Sequence, residues 1–479
     1  MNAIRRFAYL LGLSLTVLAA GSEPIFYPVD SAAPGEWFMR SIESGRAKHE
    51  KFYRDRLDRL APRERRAAHA AAYLDMLDRF AISNRAENAA IELALDWLPG
   101  DFTYHNDAFY RKAGCTSWVV LPDASATGAA MLQKNRDYRG QNLLSIRLFR
   151  AMPGRYKVIT VGDLWSTGAG AVMNEKGLMI VQNDGPGREP RMNSIAIGCV
   201  YMLRLLAENC ADVAEAEALM RKLHKMGIVR GSSIYILADL NRALVIETTG
   251  RHLAAASVDF GFEARANNLE LPGMLSLNGA LWSKRESFLN GENRRYSANE
   301  FLSTRLREKG VLSPLDLMDC SRQRDPEMEK QNWRQVCMAD TIASTLMVPD
   351  RSCPDMLNTV FIAIGPPRHT IYLPVPFGTT EFPEELANGD MALMAFALRE
   401  KYGLDHPHLP RFKALETELM DEYSTVREQA RIMLRQNRRK EAAELLTQNF
   451  KKQFGRVRTF LKGELAAGAG GNAVAHAGH

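Results

Sequence analysis

The residues that could do chemistry begin with Gly114-Cys115-Thr116-Ser117. Glycine has no Cβ and can adopt backbone conformations that bring its carbonyl against the thiol of the cysteine that follows it. A break at this bond would make Cys115 a new N-terminus, whose α-amine (pKa ~7.7–8.0) could take the proton of its own thiol (pKa ~8.5). The sequence therefore predicts a zymogen that cleaves itself at Gly114–Cys115 and then acts on amide bonds without a catalytic histidine.

A second polar group, Lys134-Asn135-Arg136-Asp137, follows one predicted strand hairpin later. Asp137 could return beside Cys115 and accept hydrogen bonds from its ammonium or thiol group. Lys134 could supply positive charge to a substrate or to the nucleophile. The alternatives are a buried structural cysteine and a polar turn with surface charges, and the two groups of residues alone leave them open.

Together these segments resemble the start of the mature chain in the isopenicillin-N acyltransferase family, and more distantly that of penicillin V acylase and bile salt hydrolase. Further stretches resemble the family in its own order, and the resemblance covers roughly residues 115–376. They lie at residues 173–178 (MNEKGL), 181–183, 264–268 (ARANN), 294–296, 341–345 and 364–367.

The resemblance implies an α+β N-terminal nucleophile (Ntn) hydrolase fold, an αββα sandwich of two antiparallel sheets between helical layers, with Cys115 at the end of the first strand. It also implies roles for single residues. Cys115 would be the nucleophile and, through its amine, the general base, and Asp137 would orient that amine. Asn267 and Asn183 would donate amide hydrogens to the oxyanion.

The resemblance further implies that Arg295 stabilises the nucleophile or a substrate carboxylate. Arg294 competes for that role, because the register is uncertain by one residue, and we expect Lys134 and Arg294 to bind substrate. Two positions depart from the family pattern. Lys134 replaces the arginine of bile salt hydrolases and lacks its planar fork, and Asn268 stands where the family usually has histidine.

The hydrophobic pattern independently predicts elements that could position these residues. Strands that come mostly in adjacent pairs, with helices inserted, are typical of stacked antiparallel sheets covered by helices. Helical patterns cover residues 194–226 and 297–324. Short apolar runs bounded by turn residues predict strands at residues 117–121, 128–133, 156–161, 178–181, 233–238, 243–247, 342–348 and 359–364.

Changes of composition along the chain predict five parts. The basic start and short apolar run predict a cleaved signal peptide, with an uncleaved N-terminal helix as the alternative. A helical leader, or propeptide, would follow, and its amphipathic face favours retention on the catalytic chain after cleavage. The boundaries are 1–20 for the signal peptide, 21–114 for the leader, 115–380 for the catalytic domain, 381–463 for a C-terminal helical extension and 464–479 for a disordered tail.

Charge and cysteine content disfavour several other functions. The net charge of +6 is spread along the chain, and its densest runs indicate solvated helix faces rather than a nucleic-acid site. The six cysteines show no CxxC spacing and no neighbouring histidine, so we expect no metal or other cofactor and mostly buried thiols. With the signal peptide removed, we expect a periplasmic or secreted protein without a stable membrane anchor.

The sequence thus favours an exported cysteine amidohydrolase or acyltransferase. Cys115 would attack a small linear amide, either non-peptide or a small peptide, and water or an amine would resolve the acyl-thioester. The rival from another class is a binding protein of the same fold that is neither processed nor catalytic. A papain-type peptidase is disfavoured because the cysteine lacks that family's flanking tryptophan and a suitable histidine.

Overall fold

A computed structural model describes most of the chain from residue 63 onward. The predicted signal peptide, the first part of the leader and the end of the tail lie outside the described residues. Those described are 63–80, 88–89, 92–93, 97–102, 104, 114–138, 144–149, 154–163, 168–187, 189, 196–279, 285–324, 335–383 and 390–467.

Thirteen β-strands make up the centre of the described molecule. They are β1 Gly114–Val120, β2 Met131–Asp137, β3 Leu144–Phe149, β4 Val158–Asp163, β5 Ala171–Asn174, β6 Met179–Asp184, β7 Ser233–Ala238, β8 Ala243–Thr248, β9 Leu253–Val258, β10 Phe262–Arg265, β11 Thr341–Val348, β12 Thr359–Ile364 and β13 Tyr372–Pro376. They form two antiparallel sheets. The first has the strand order β10-β1-β2-β11-β12-β13, and the second runs from β3 to β9 in sequence order.

Nine α-helices surround these sheets in the described part of the chain. They are α1 Arg63–Phe80, α2 Cys199–Asn209, α3 Val213–Lys225, α4 Arg285–Lys309, α5 Pro314–Ser321, α6 Pro354–Leu357, α7 Asp390–Tyr402, α8 Leu409–Arg435 and α9 Arg439–Ala466. Within the described residues no helix combines the length and apolar character needed to cross a membrane.

Strand alternation divides the apolar side chains of each sheet between two cores. Val119 of β1 and Val181 of β6 belong to the core between the sheets. Trp118, the next residue of β1, belongs to a second core with helices α4, α5, α8 and α9. Tyr235 of β7 belongs to a third core with α2 and α3. The predicted αββα sandwich of two antiparallel sheets between helical layers is therefore confirmed.

The predicted strands at residues 233–238 and 359–364 coincide with β7 and β12. The first predicted strand starts three residues earlier than expected, at Gly114, so Cys115 is the second residue of β1. The pattern did not predict β3, β5, β9, β10 or β13. Of these, β9 has the sequence LAAASV and is mostly half-buried, so it lacks a clear alternation of buried and exposed residues.

Helix α1 of the predicted leader packs on the second sheet's helical cover. Tyr73 and Met76 of α1 and Phe102 are buried in the same apolar cluster as α2 and α3. The ring of Tyr73 lies edge-on to Tyr201 of α2, with 6.2 Å between centroids. The described part of the leader therefore shares a core with the rest of the protein.

Candidate active site

Strands β1 and β2 bring the two polar groups of the sequence together. They pair antiparallel, with Gly114 opposite Asp137, Cys115 opposite Arg136 and Ser117 opposite Lys134. Directly opposed residues project from the same face of a sheet. Cys115 and Arg136 therefore face the second sheet, whereas Asp137 projects from the opposite face, toward helix α4.

The backbone of Cys115 is held from two sides. Its N–H donates to Asn267 Oδ1 at 3.0 Å. Its carbonyl oxygen accepts a hydrogen bond from Arg294 Nη1 at 2.5 Å. Both groups belong to segments far away in sequence, so tertiary packing fixes Cys115, whose nitrogen forms the bond at which cleavage is predicted.

The thiol of Cys115 is buried, and burial raises its pKa. The positive charge of Lys134 opposes this rise, whereas Asp184 and Asp137 add to it. Lys134 is itself buried, and its Nζ donates to the carbonyl oxygen of Gln182 on β6. Lys134 thus lies between the two sheets, and its expected role in substrate binding stays a prediction.

Asp137 is fully buried, and burial raises the pKa of its carboxyl group, with Arg294 and Thr341 opposing the rise. Its Oδ1 accepts a hydrogen bond from Thr341 Oγ1 at 2.6 Å. Its Oδ2 has no hydrogen bond from the described residues and lies 3.6 Å from Arg294 Nη1. A Cβ on Gly114 would be 3.1 Å from this same oxygen, so the carboxylate lies directly beside the predicted cleavage site.

Of the two consecutive arginines on α4, the structure places Arg294 at the site. Besides the Cys115 carbonyl, Arg294 donates to Thr116 Oγ1 at 2.8 Å and to Asn267 Oδ1 at 2.6 Å. Arg295 instead contacts Glu270 at 3.2 Å and Glu292 at 2.9 Å. The structure therefore places Arg294, the competing candidate, beside Cys115 and places Arg295 beside Glu270 and Glu292, because successive helical residues point about 100° apart.

The two asparagines expected to donate to an oxyanion have different surroundings. Asn267 Nδ2 donates to the backbone oxygen of Asp184 at 2.9 Å, and its Oδ1 accepts from Cys115 and Arg294. Asn183 Nδ2 donates to the backbone oxygens of Arg265 at 3.1 Å and Ala266 at 3.0 Å. Both amide hydrogens of Asn183 are thus used to hold the segment that leads to Asn267. The expected oxyanion contact of Asn183 stays a prediction.

Asn268 and Glu247 are both hydrogen-bonded inside the protein. Asn268, which stands where the family usually has histidine, donates through Nδ2 to Phe288 O at 3.1 Å and Glu292 Oε1 at 2.9 Å. Glu247 is buried and accepts the backbone N–H groups of Glu270 and Leu271. Both side chains thus fix the loop after Asn267.

The remaining cysteines give no evidence of another reactive centre. No disulfide joins any of the six cysteines, and five of them are buried, as expected. Among the described residues, no group of three or more histidine, cysteine, aspartate or glutamate side chains could hold a metal ion.

Sequence reasoning missed two residues of the site. The sequence pattern gives Arg136 only as part of a polar run. Alternation along the strand from Lys134 places it on the same sheet face as Cys115. Thr341 was recognised as part of a family-like strand but was given no role, because its hydrogen bond to Asp137 joins β11 to β2 across some 200 residues of sequence.

Comparison with known proteins supports the resemblance seen in the sequence. Residues 125–309 match the family model of acyl-coenzyme A:6-aminopenicillanic acid acyl-transferase. This range contains Lys134, Asp137, Asn267 and Arg294 and begins after Cys115. The match covers less than half of the chain and shows that this part of it is similar to that family.

Several solved structures are similar at low identity. A variant of the conjugated bile acid hydrolase from Clostridium perfringens is 10% identical over 55% of this chain and 92% of its own, with a TM-score of 0.37. The N-acylethanolamine-hydrolyzing acid amidase ortholog from Caenorhabditis elegans is 15% identical over 49% and 92%, with a TM-score of 0.34. Penicillin V acylase from Agrobacterium tumefaciens is 13% identical over 55% and 86%, with a TM-score of 0.35. These values are too low to carry a function over to this chain.

Proposed function

We propose that the protein is an Ntn enzyme that activates itself by cleaving the Gly114–Cys115 bond and then uses Cys115 to attack a small linear amide. The observation that carries this proposal is the setting of the Cys115 peptide. Its N–H lies 3.0 Å from Asn267 Oδ1, its carbonyl is bound by Arg294, and the carboxylate of Asp137 lies against Gly114.

In the first step, Cys115 Sγ attacks the carbonyl carbon of Gly114. The C–N bond breaks, a thioester joins Gly114 to Sγ, and the freed Cys115 nitrogen takes the proton that the thiol loses. Water then hydrolyses the thioester, which leaves a carboxylate on Gly114 and restores the thiol. Lys134 assists because its positive charge favours the thiolate of Cys115.

After cleavage, the existing contacts can hold the new ammonium group. Asn267 Oδ1 already accepts a hydrogen bond from this nitrogen. Asp137 Oδ2 lacks a hydrogen bond from the described residues and lies beside Gly114, so it can accept one when Gly114 departs. Arg294 holds Asn267 and the Cys115 carbonyl in fixed positions relative to each other. We assign to Asp137 and Arg294 the orientation of the amine that serves as general base.

In turnover, the amine removes the thiol proton, and the thiolate attacks the substrate carbonyl to give an acyl-thioester. A primary amide carries two hydrogens, so Asn267 Nδ2 can hold the Asp184 carbonyl and also donate to the oxyanion. Water or an amine then releases the acyl group. Export of the protein, which the sequence predicts, would favour water, because acyl-CoA donors are absent outside the cytoplasm.

The leader fragment should stay bound after cleavage. Tyr73 and Phe102 are completely or almost completely buried against the body of the protein. Releasing them would expose apolar surface at a cost of about 1.5–3 kcal/mol for each side chain of this kind. We therefore propose a mature enzyme of two associated fragments.

The test is the intact mass and N-terminal sequence of the purified protein, beside a Cys115→Ala variant. We expect the wild type to yield a fragment that begins Cys115-Thr116-Ser117 and the variant to remain one chain without amidase activity. The two wild-type fragments should elute together under native conditions. A wild-type chain that stays intact, yet binds an amide ligand as tightly as the variant does, would support the rival binding protein.

A further inference from the structure

Asn267 and Arg294, the two side chains that hold the backbone of Cys115, lie on different elements of the fold. Asn267 follows β10, whereas Arg294 belongs to α4. Their contact with each other, at 2.6 Å, requires that the loop after β10 and helix α4 keep a fixed relative position. Because a misplacement of about 1 Å can cost a reaction much of its rate, the contacts that join these two elements bear on the Cys115 site.

Glu270, three residues after Asn267, joins the two elements through its carboxylate. Its Oε2 accepts a hydrogen bond from Arg265 Nη1 of β10 at 2.6 Å. Its Oε1 lies 3.2 Å from Arg295 Nε of α4. The side chain of Glu270 is 16% exposed, so solvent and salt screen these contacts weakly. Glu270 thus forms an ionic bridge between the strand that leads to Asn267 and the helix that carries Arg294.

Four described carboxylates surround the two arginines of this bridge, and they belong to Glu247, Glu263, Glu270 and Glu292. Glu263 lies 2.9 Å from Arg265, and Glu292 lies 2.9 Å from Arg295. Glu247 lies 3.7 Å from Arg265. In these ion pairs each of the three contacts one arginine, whereas the bridging carboxylate contacts both.

The charges of this cluster make the bridge sensitive to pH. Two arginines do not balance four carboxylates, and like charges that lie close together favour protonation of one of them. Burial raises the pKa of Glu270 to about 7. The two arginines oppose this rise, whereas Glu292 and Glu247 add to it. The bridging carboxylate therefore gains and loses its charge near neutral pH.

We propose that Glu270 is a positioning residue whose ionised carboxylate holds the loop after β10 against α4 and so speeds the reaction at Cys115. A protonated carboxyl group loses the charge that strengthens its hydrogen bonds from guanidinium groups. The bridge is therefore strongest above the pH at which Glu270 titrates. This inference rests on the proposed function, because it concerns the reaction at Cys115. It adds a control by pH that is separate from the titration of the Cys115 amine.

The test compares the wild type with Glu270→Gln, because glutamine resembles protonated glutamate in shape and in its lack of charge. Full-length precursor of each is made in a short pulse of cell-free translation and diluted into buffers from about pH 5.5 to about pH 8.5. The fragment that starts at Cys115 is followed by mass. The ratio of the wild-type rate to the variant rate cancels the titration of the thiol, which both proteins share. We expect a ratio near 1 at the lowest pH and about 10 at the highest.

The free energy of unfolding separates positioning from a purely structural role. The pKa of Glu270 is raised on folding, so its contribution to stability is fully present below the unfolded pKa of ~4.3 and is lost as pH rises through about 7. In a Cys115→Ala background, the stability of the chain with Glu270 should therefore fall with rising pH, relative to the chain with Glu270→Gln. A residue that acts through stability would make the ratio of cleavage rates fall with pH as well, whereas we expect that ratio to rise.

Glu263→Gln is the matched control. It also removes a carboxylate from Arg265, but Glu263 belongs to the same strand as this arginine and its side chain is 31% exposed. Its cleavage rate relative to the wild type should not change with pH. A Glu270→Gln variant that is slower by one constant factor at every pH, or slower at none, would overturn the inference. If the wild type is not cleaved at any pH, the proposed function itself fails.

Discussion

Two buried arginines of this protein, Arg294 and Arg322, have contrasting surroundings. Arg322 donates two hydrogen bonds to Glu416, at 2.7 and 2.8 Å, and both side chains are 2% exposed. Arg294 is 3% exposed, and its nearest carboxylate, Asp137, is 3.6 Å away without a hydrogen bond. Its short hydrogen bonds go instead to neutral groups, including the carbonyl of Cys115.

The difference separates a satisfied ion pair from a buried carboxylate that retains an unused acceptor oxygen. At Arg322, the charges satisfy each other, as buried charges must if they are to be tolerated. At Arg294, part of the hydrogen-bonding capacity of Asp137 remains unused next to the Gly114–Cys115 bond. A buried acceptor left in this state is costly, and in our proposal the ammonium group that cleavage creates becomes its partner.

The Arg322 pair also connects the C-terminal helices to the strand that carries the site. Glu416 of α8 accepts the backbone N–H of Tyr372 at 2.9 Å. The Tyr372 hydroxyl donates to Ser321 Oγ at 2.7 Å, and Asn135 Nδ2 of β2 donates to Ser321 O at 2.8 Å. The extension is therefore tied to β2 through a buried network and contributes to the stability of the catalytic unit.

The largest effect on stability should come from breaking the ion pair between Arg322 and Glu416. Arg322→Met leaves Glu416 buried without its partner, and the free energy of unfolding should fall by about 3–5 kcal/mol. Denaturant unfolding measures this loss. A double variant, Arg322→Met with Glu416→Leu, should recover much of it, because no charge is left unpaired. A loss below about 1 kcal/mol, the usual range of an exposed pair, would contradict the structural role.

The next effect concerns rate rather than stability. Arg294→Met should slow cleavage at Gly114–Cys115 by about 10²-fold, because Arg294 positions the Cys115 carbonyl and Asn267, and a misplacement of reacting groups by about 1 Å can cost this much in rate. Its free energy of unfolding should fall less than that of Arg322→Met. Cleavage is followed by the appearance of the fragment that starts at Cys115.

Arg295→Met is the matched control for this rate effect. Arg295 is the next residue of the same helix, contacts Glu270 and Glu292, and is 31% exposed in its side chain. Its removal should slow cleavage far less than removal of Arg294. Equal effects of the two substitutions would show that Arg294 acts through the stability of α4 rather than through its contacts with Cys115.

The same pair of arginines shows what the sequence could and could not predict. Gly114, Cys115 and Asp137 could be identified because a single hairpin brings them together, and hairpin pairing is a local property. The choice between Arg294 and Arg295 required the rotation of α4 about its axis. The helix is polar along most of its length, so no apolar stripe showed which side faces the sheet.

Tertiary hydrogen bonds account for the remaining differences. Asn183 could be recognised by its place in a family-like segment, but its two bonds to the backbone at Arg265 and Ala266 depend on how β6 and β10 meet. The same holds for Glu416, which no local pattern connects with β2. The fold class could be predicted from periodicity and resemblance. Which polar residues lie beside Cys115 and which hold neighbouring segments in place could not be predicted, because this depends on contacts between residues distant in sequence.

The smallest expected effect is on the pH dependence of the free energy of unfolding. This dependence should differ between Asp137, which has an oxygen without a hydrogen bond from the described residues, and a carboxylate whose oxygens are all bonded. The folded-state pKa of Asp137 is raised by burial, so its ionisation costs stability. Its contribution is fully present below the unfolded pKa of ~3.9 and is lost as pH rises through the folded pKa. The free energy of unfolding of Cys115→Ala should therefore fall, relative to Cys115→Ala/Asp137→Asn, as pH rises from about 4 to 7.

Asp350 provides the control of opposite sign. Burial alone would raise its pKa, but hydrogen bonds from Ser352 and the charges of Arg427 and Arg431 lower it well below the ordinary value. Its contribution is present above the unfolded pKa and is lost as pH falls through the folded pKa. The free energy of unfolding relative to an Asp350→Asn variant should thus rise with pH up to the unfolded pKa of ~3.9, by at most about 1.4 kcal/mol per pH unit, and change little above it. Urea unfolding at a series of pH values measures both differences in free energy. If both differences change with pH in the same direction, the Asp137 carboxylate already has its stabilising partners before cleavage.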